Sequence, residues 1–315
     1  MPVGEKRNNM AKVAIVMAAY NGEKYIAEQI TSILNNSYKD IELHICDDGS
    51  TDGTEEIVAS FVERYPRKVF YHRNEKNLGV IRNFFFGLNL VEAEYYMFSD
   101  QDDVWEKDKI LHTLEKMREQ EAKANSKPVL VFGDAYMVDS YLQSMGNTFQ
   151  KISNLNPKDT RLSHVVVENA VIGCTVMLNE ALKKKLTVFP KEIRMHDWWV
   201  ALIAATMGEL VFLDEPLLKY RQHGNNTLGG MSDMSFAKKN LGKIGKIRQG
   251  VHGSCYQAKA FLECYWDELT EQQRSVLAYF AEIPEKSWFV RKYRIIRGGY
   301  FKTGILKNMA LLFVI

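Results

Sequence analysis

The chain has 315 residues, 46% of them hydrophobic and 25% charged, with a formal net charge of +2. That is the composition of a folded globular protein long enough for a sizeable core, and the near-balance of charge leaves no global field for nucleic acid. The four cysteines form no C-x-x-C pair, which argues against a disulfide framework or structural zinc and fits a reducing compartment. The N-terminal MPVGEKRNNMAK lacks an apolar signal core, and no stretch reaches the ~20 apolar residues of a membrane-spanning helix.

In chain order, VAIVMAAY (13–20) reads as a strand ending at Asn21-Gly22. A helix follows, with Ile26, Ile30, Ile33 and Leu34 at helical spacing and Asn21 as its expected N-cap. IELHIC (41–46) is a second strand that stops at DDGSTDGT, followed by an amphipathic helix marked by Ile57, Val58, Phe61 and Val62. KVFYH (68–72) is a third strand, Val80 to Leu90 a helix, and EYYMFS (94–99) a fourth strand. Ile110, Leu111, Leu114 and Met117 mark another helix, and PVLVFG (128–133) a fifth strand. Strands alternating with helices predict an α/β fold with right-handed crossovers and a mostly parallel sheet. Further on, VIGCTVML (171–178) reads as a strand, MHDWWVALIAATMG (195–208) as a buried helix, and 209–224 as two short strands. Beyond about 230 the pattern becomes helical.

Ligands of parallel α/β sheets sit beyond the carboxyl ends of the strands. Three polar clusters fall there: Ala19-Tyr20-Asn21, Asp47-Asp48-Gly49-Ser50 and Asp100-Gln101-Asp102. Asp100 and Asp102 follow an apolar strand, where neighbouring carboxylates resist ionising together, so a cation is expected between them. Hard oxygen ligands suit Mg²⁺ or Mn²⁺ shared with a diphosphate. A solvated acidic turn or a helix cap is the alternative for a lone D-x-D, and the matching clusters weigh against it. Asp48 can accept from a base or ribose, while Ser50 to Glu56 resembles a capping turn. Tyr20-Asn21 offers an aromatic face and a backbone edge. RNEKNLGVIRN, with Arg73, Asn77, Arg82 and Asn83, opens a helix where anions are favoured, and a solvated basic face is its alternative.

At this point VAIVMAAYNGEKYIAEQITSIL, DDGSTDGT, RNEKNLGVIRNF, FSDQDDVW, ENAVIGCTVMLN, MHDWW and YRQHGNN together resemble an inverting family-2 glycosyltransferase of the GT-A fold. SDQDDVW with HDWW and YRQHGNN is similar to bacterial rhamnosyltransferases of cell-wall and capsular polysaccharide assembly. The resemblance implies a GT-A, Rossmann-like nucleotide-binding domain over residues 12–228, and the change of pattern beyond it makes 229–315 a helical C-terminal region. Ala19, Tyr20, Asn21, Asp47, Asp48, Arg73, Asn77, Asn83, Asp100, Gln101 and Arg221 would hold the nucleotide sugar. Asp102 and His223 would bind Mg²⁺ or Mn²⁺, with Arg221, His223 and Asn225 closing over the diphosphate. Asp197 would be the general base that takes the acceptor's proton. Thr175, Trp198 and Trp199 would meet the acceptor, with Glu168, Asn169 and the Gly173-Cys174-Thr175 segment beside them. Many members carry Glu-Asp where this chain has His196-Asp197, which leaves the aspartate and puts only the preceding residue's role in question. The implied donor is dTDP-β-L-rhamnose, with a UDP-hexose as the alternative, and the implied acceptor a lipid-linked saccharide.

Residues 288–315 carry six basic residues and no acidic one, interleaved with Trp288, Phe289, Tyr293, Tyr300 and Phe301 and ending in an apolar run. This pattern suits a helix lying in a membrane interface, and a core helix with a basic face is its alternative. If the acceptor is a lipid, Lys302 and Lys307 would meet phosphates of that lipid or of the bilayer. The expected location is cytoplasmic, peripheral at the inner face of the membrane. A nucleotidyltransferase is a rival reading, but it calls for a glycine-rich basic loop where this chain has AAYNGEKY. A non-catalytic nucleotide-sugar-binding protein is a second rival, and it would survive Asp197→Asn unchanged.

Overall fold

The structure is a computed structural model that describes residues 12–124, 126–223 and 244–315. The first half alternates as its apolar pattern dictates: β1 (Val13–Ala19), α1 (Ile26–Leu34), β2 (Ile41–Asp47), α2 (Thr54–Arg64), β3 (Val69–Arg73), α3 (Val80–Leu90) and β4 (Tyr95–Ser99). These four strands pair in parallel in the order β3-β2-β1-β4. Then come β5 (Val104–Trp105), α4 (Lys109–Ala124), β6 (Val129–Val138), β7 (Ser144–Thr148), β8 (Met177–Asn179), α5 (His196–Met207) and β9 (Glu209–Arg221). They extend the sheet as β4-β8-β6-β9-β5, with β7 beside β6. This half is mixed: β8 runs antiparallel to β4 and β6, while β6 and β9 are parallel.

The period of two along β1 divides the core. Val13, Ile15 and Met17 face α1 and α4 through Ile26, Ile30, Ile110 and Leu114. Ala14 and Val16 face α3 and α5 through Phe84, Leu88, Trp199 and Leu202. α3 lies close to the sheet because Gly87 has no side chain, since a Cβ there would stand 2.5 Å from both Cys46 Sγ and Val16 Cγ1. α5 is apolar all round, with ten of its 12 residues buried, as expected of a core helix. Four further helices, α6 (Ile244–Cys264), α7 (Glu271–Ala281), α8 (Trp288–Gly298) and α9 (Ile305–Val314), cover it. Phe261, Phe280, Ile295, Tyr300, Leu311 and Ile315 belong to the same apolar cluster as Trp199. No described helix is long and apolar enough to cross a membrane. The expected boundary at 228/229 and the residue Asn225 lie outside the described residues.

Three local expectations are corrected. Asn21 does not cap α1, which begins only at Ile26. It adopts φ 48° and ties the β1 turn to the loop after β2, its N–H donating to Ser50 Oγ and its Oδ1 accepting from Thr51 N–H. The 171–178 stretch is not one strand: residues 173–175 form a 3-10 turn and only Met177–Asn179 pairs in the sheet. The chain turns there beneath His196, whose Nε2 would lie 2.6 Å from a Cβ on Gly173. Residues 209–221 form one strand, not two. Its Asp214-Glu215-Pro216 interruption is absorbed by register shifts against Phe132–Tyr136, where a missing proline donor is tolerated.

Candidate active site

A cavity of about 1020 Å³ opens above the carboxyl ends of β1 and β4. Ala19, Tyr20, Asn21, Asp48, Asn77 and Asn83 line its β1–β2 side. Asp100, Gln101, Asp102 and His223 line its middle, and Asp197 and Trp198 its far side beside Glu168, Asn169 and Gly173. These seven separate stretches thus reach one space, with the ends of β1 and β4 at its floor as the strand-end rule requires.

The β1 side is built around Asp48. Its carboxylate accepts from Asn74 Nδ2 at 2.8 Å, Leu78 N–H at 2.7 Å and Gly79 N–H at 2.8 Å. Gly79 has φ +79°, which few other residues adopt without strain. Asp48 therefore fixes the loop that opens α3. Asn83 joins the same network, accepting from Asn74 and donating to Cys46 O. Gln101 clips β4 to β1 by accepting from Tyr20 N–H and donating to Tyr20 O.

The acidic turn is arranged around Asp102 and His223. His223 Nε2 lies 2.7 Å from Asp102 Oδ2, and its ring stacks on Tyr25 with centroids 5.1 Å apart. Burial, then Asp102 and Asp197, push the Asp100 carboxyl up to about 7. A carboxylate and an imidazole converging beside a second, hard-to-ionise carboxyl form a donor set that fits a divalent cation. Asp100, Asp103 and Cys174 also approach within 4.8 Å of one another. That set fits less well, because burial raises the Cys174 thiol far above its usual range and Asp103 accepts from Arg221 N–H.

Asp197 sits in the first turn of α5. Its Oδ1 accepts from Asn169 Nδ2 at 3.1 Å. Burial raises its carboxyl from an ordinary 3.8 to about 7, although N–H groups of Trp198 and Gly173 and the Asn169 amide favour the charged form. His196 lies beneath it, stacked on Phe84 with centroids 4.0 Å apart and edge-on to Phe98. Both ring nitrogens are buried without hydrogen-bond partners, and burial lowers its pKa to about 3, so the imidazole is neutral. The residue before the aspartate is therefore an aromatic filler under the site.

Five expected site residues do not line the cavity. Asp47 is fully buried and accepts from Ser50 and the Tyr71 hydroxyl. Arg73 reaches Glu55 and Ser50 O. Thr175 donates to Ile172 O within its turn. Trp199 is fully buried against Phe261 and Tyr265. Arg221 is a buried strap, donating to Asp102 O, Ser140 O and Glu28 and lying over Tyr25. It positions the acidic turn from behind. Sequence reasoning missed Asn74, Tyr25, Tyr220 and Arg194, of which the last three line the cavity. Asn74 stands next to the singled-out Arg73, and the polar run was the available signal. Nothing local marks the others.

The comparisons with known proteins agree with this architecture. The sequence profile described as Glycosyl transferase family 2 matches residues 14–184. The chain is 30% identical over 243 residues to the dTDP-rhamnosyl transferase RfbG of Shigella flexneri, covering 72% of this chain and 78% of that protein. Among solved structures it resembles S. aureus TarS 1-349, with TM-score 0.56, 16% identity, and coverage of 91% of this chain and 80% of that one. It also resembles the mannosyltransferase PcManGT from Pyrobaculum calidifontis in complex with GDP-Man and Mn²⁺, with TM-score 0.54, 16% identity, and coverage of 97% and 79%. The two structural likenesses establish the GT-A fold. The protein is thus a GT-A glycosyltransferase. The chain belongs to glycosyl transferase family 2.

Proposed function

We propose that this glycosyltransferase moves L-rhamnose from dTDP-β-L-rhamnose, with inversion, onto a lipid-linked saccharide in bacterial polysaccharide synthesis. The observation that carries the reading is one cavity with the Asp102–His223 pair at its centre and the buried Asp197 across from it. The likeness to the RfbG of Shigella flexneri supports the donor. TarS solved with UDP-GlcNAc and PcManGT solved with GDP-Man and Mn²⁺ support a nucleotide sugar and a divalent ion.

In this reading Tyr20, Asn21, Asp48, Asn77, Asn83, Asp100 and Gln101 form the nucleotide's bed. Asp102 and His223 would hold Mg²⁺ or Mn²⁺, which when bound stabilises charge on the departing diphosphate. Asp197 accepts the proton of the acceptor hydroxyl as that oxygen bonds to the anomeric carbon and the bond to the nucleotide breaks on the opposite face. Its raised pKa suits the task, since a base near neutrality has the strongest useful driving force. Asn169 orients the carboxylate, and Trp198, its indole N–H fixed to Val165 O at 2.7 Å, presents a ring to the acceptor.

The reading also places the chain at the inner face of the membrane. On α8 and α9 one face each stays exposed: Trp288, Phe289, Tyr293 and Ile296, then Ile305, Leu306, Met309 and Phe313. Phe289 is 77% and Ile305 79% exposed, more than a solvated core helix would leave bare. Lys292 and Arg297 accompany them, as anionic lipid would favour.

The test is donor binding by the purified protein, with dTDP-rhamnose, UDP-glucose and UDP-N-acetylglucosamine each titrated with Mn²⁺ and with EDTA. Metal-dependent preference for dTDP-rhamnose is expected. Preference for a UDP-sugar would discard rhamnose and keep the mechanism.

A further inference from the structure

The C-terminal helices contribute one side chain to the cavity. Lys302, in the turn between α8 and α9, lines it together with Arg194, Glu168 and Asn169. The turn is held in place from both sides. Lys302 N–H donates to Asn308 Oδ1 at 2.8 Å, and Thr303 N–H donates to Glu168 Oε2 at 2.7 Å. Sequence alone pairs Lys302 with Lys307, and the structure gives the two different surroundings. Lys307 Nζ donates to Ser153 O and Asn154 O and pairs with Glu168 at 3.3 Å. The Lys302 ammonium has no hydrogen bond or ion pair among the described residues.

This end of the cavity is electropositive. Glu168 is its single carboxylate apart from Asp197, and it is committed to Lys307 and Thr303. Arg194 is fixed there by Ser254 Oγ at 2.7 Å, with its guanidinium 4.8 Å from the Trp198 ring centroid. Burial pushes the Lys302 amino group below the usual lysine range, Glu168 acts against that, and Lys307 and Arg194 add to it. None of the carboxylates at the Asp102 end is among those acting on it. Lys302 is partly buried, and an ammonium facing a cavity with no hydrogen-bonded or ion-paired partner has its charge and three donors to offer an anionic ligand.

We infer that Lys302 and Arg194 form an anion subsite on the acceptor side of Asp197, which takes a phosphate or diphosphate carried by the acceptor itself. Glu168 links this subsite to the base, since it holds the Lys302 turn while the adjacent Asn169 bonds to Asp197. The cavity is about 1020 Å³, at the upper end of the roughly 300–1000 Å³ usual for one small-molecule site. Lys302 and Arg194 line the same cavity as Asp197, so an anion held by them lies on the same short acceptor as the attacked hydroxyl. The substrate class is a short saccharide phosphate or diphosphate. The inference rests on the reading of Asp197 as the base, and it makes the C-terminal turn part of the binding site.

The probe is geranyl diphosphate, soluble and free of vesicles, with geraniol as its neutral counterpart. Binding to the full chain is measured by calorimetry with dTDP and Mn²⁺ saturating, so that the donor end is filled. The diphosphate should bind and geraniol should not. Lys302→Met should weaken binding about tenfold or more, and Lys302→Arg should restore it. Lys302→Met should melt no lower than the wild type without ligand, because it removes a partly buried ammonium that makes no hydrogen bond or ion pair among the described residues. Equal binding of the probe by Lys302→Met and the wild type would overturn the proposal, as would equal binding of geraniol. Phosphatidylglycerol vesicles separate the two sources of phosphate. Lys302→Met should sediment with them as the wild type does, and selective loss of vesicle binding would assign Lys302 to the bilayer and sink the acceptor subsite. Failure of the wild type to bind dTDP, with the probe still bound in its absence, would instead count against the donor reading alone.

Discussion

Asp102 and His223 stand 121 residues apart in the chain and 2.7 Å apart in space. Arg221 produces the meeting. It ends β9, donates its backbone N–H to Asp103 and its Nε–H to Asp102 O, and so delivers His223 to the acidic turn. If the pair holds the metal, Asp102→Ala and His223→Ala should each weaken donor binding about tenfold or more in Mn²⁺. The double variant should lose little beyond either single one, because the two act as a unit. EDTA should bring the wild type down to the same affinity.

Asp197→Asn should separate binding from chemistry. It keeps the shape of the side chain and the bond to Asn169 can re-form by an amide flip, so donor affinity and melting temperature should stay near wild type. Turnover should fall by about 10²- to 10⁴-fold, the usual contribution of a positioned base. Wild-type turnover in this variant would remove the base assignment.

The pH profile follows from the same carboxyl. Burial raises Asp197 to about 7, and as the proposed base it works only when ionised, so activity should rise with pH. The logarithm of kcat/KM should climb with unit slope below about 7 and level off above it. Asn169→Ala removes a donor that favours the charged form, so its limb should move to higher pH.

The adjacent tryptophans should respond differently. Trp199 is fully buried against Phe261 and Tyr265, so Trp199→Ala should cost about 3–5 kcal/mol of stability by chemical denaturation. Trp198 borders the cavity, so Trp198→Phe should act on acceptor KM more than on the melting temperature.

For the membrane face, replacing Phe289, Ile305 and Phe313 by serine should reduce sedimentation with phosphatidylglycerol vesicles. These side chains are largely exposed, so donor binding and melting temperature should hold. Unchanged sedimentation would return α8 and α9 to the role of an ordinary core cover.

Most of the fold was legible because its signals are local. Apolar runs bounded by polar turns gave β1 to β4, and the apolar spacing gave α3 from Val80 to Leu90 as observed. The strand-end rule then brought Tyr20, Asp48, Asp100 and Asp102 to one edge without any tertiary information. Residue type alone could not distinguish Asp48 from Asp47, since both are acidic and both follow the same strand. Alternation turns one toward the cavity and the other into the sheet, where Ser50 and Tyr71 satisfy it. The Trp198–Trp199 pair is divided in the same way, by which side of α5 faces the core.

What remained beyond local pattern depends on contacts between distant segments. The chemistry was written in the residues: acidic turns at strand ends, an aspartate opening an apolar helix, a histidine after the last strand. Which of these groups share one space was decided by folding. Arg221 became a strap because β9 runs beside β6 and carries its side chain behind the acidic turn. Lys302 joined the cavity because α6 to α9 pack on α5 and bring their last turn against Glu168. Hydrophobic burial is non-directional, so the sequence marks that these helices are covered without marking by what. The side chains that end up in the cavity are set by packing geometry.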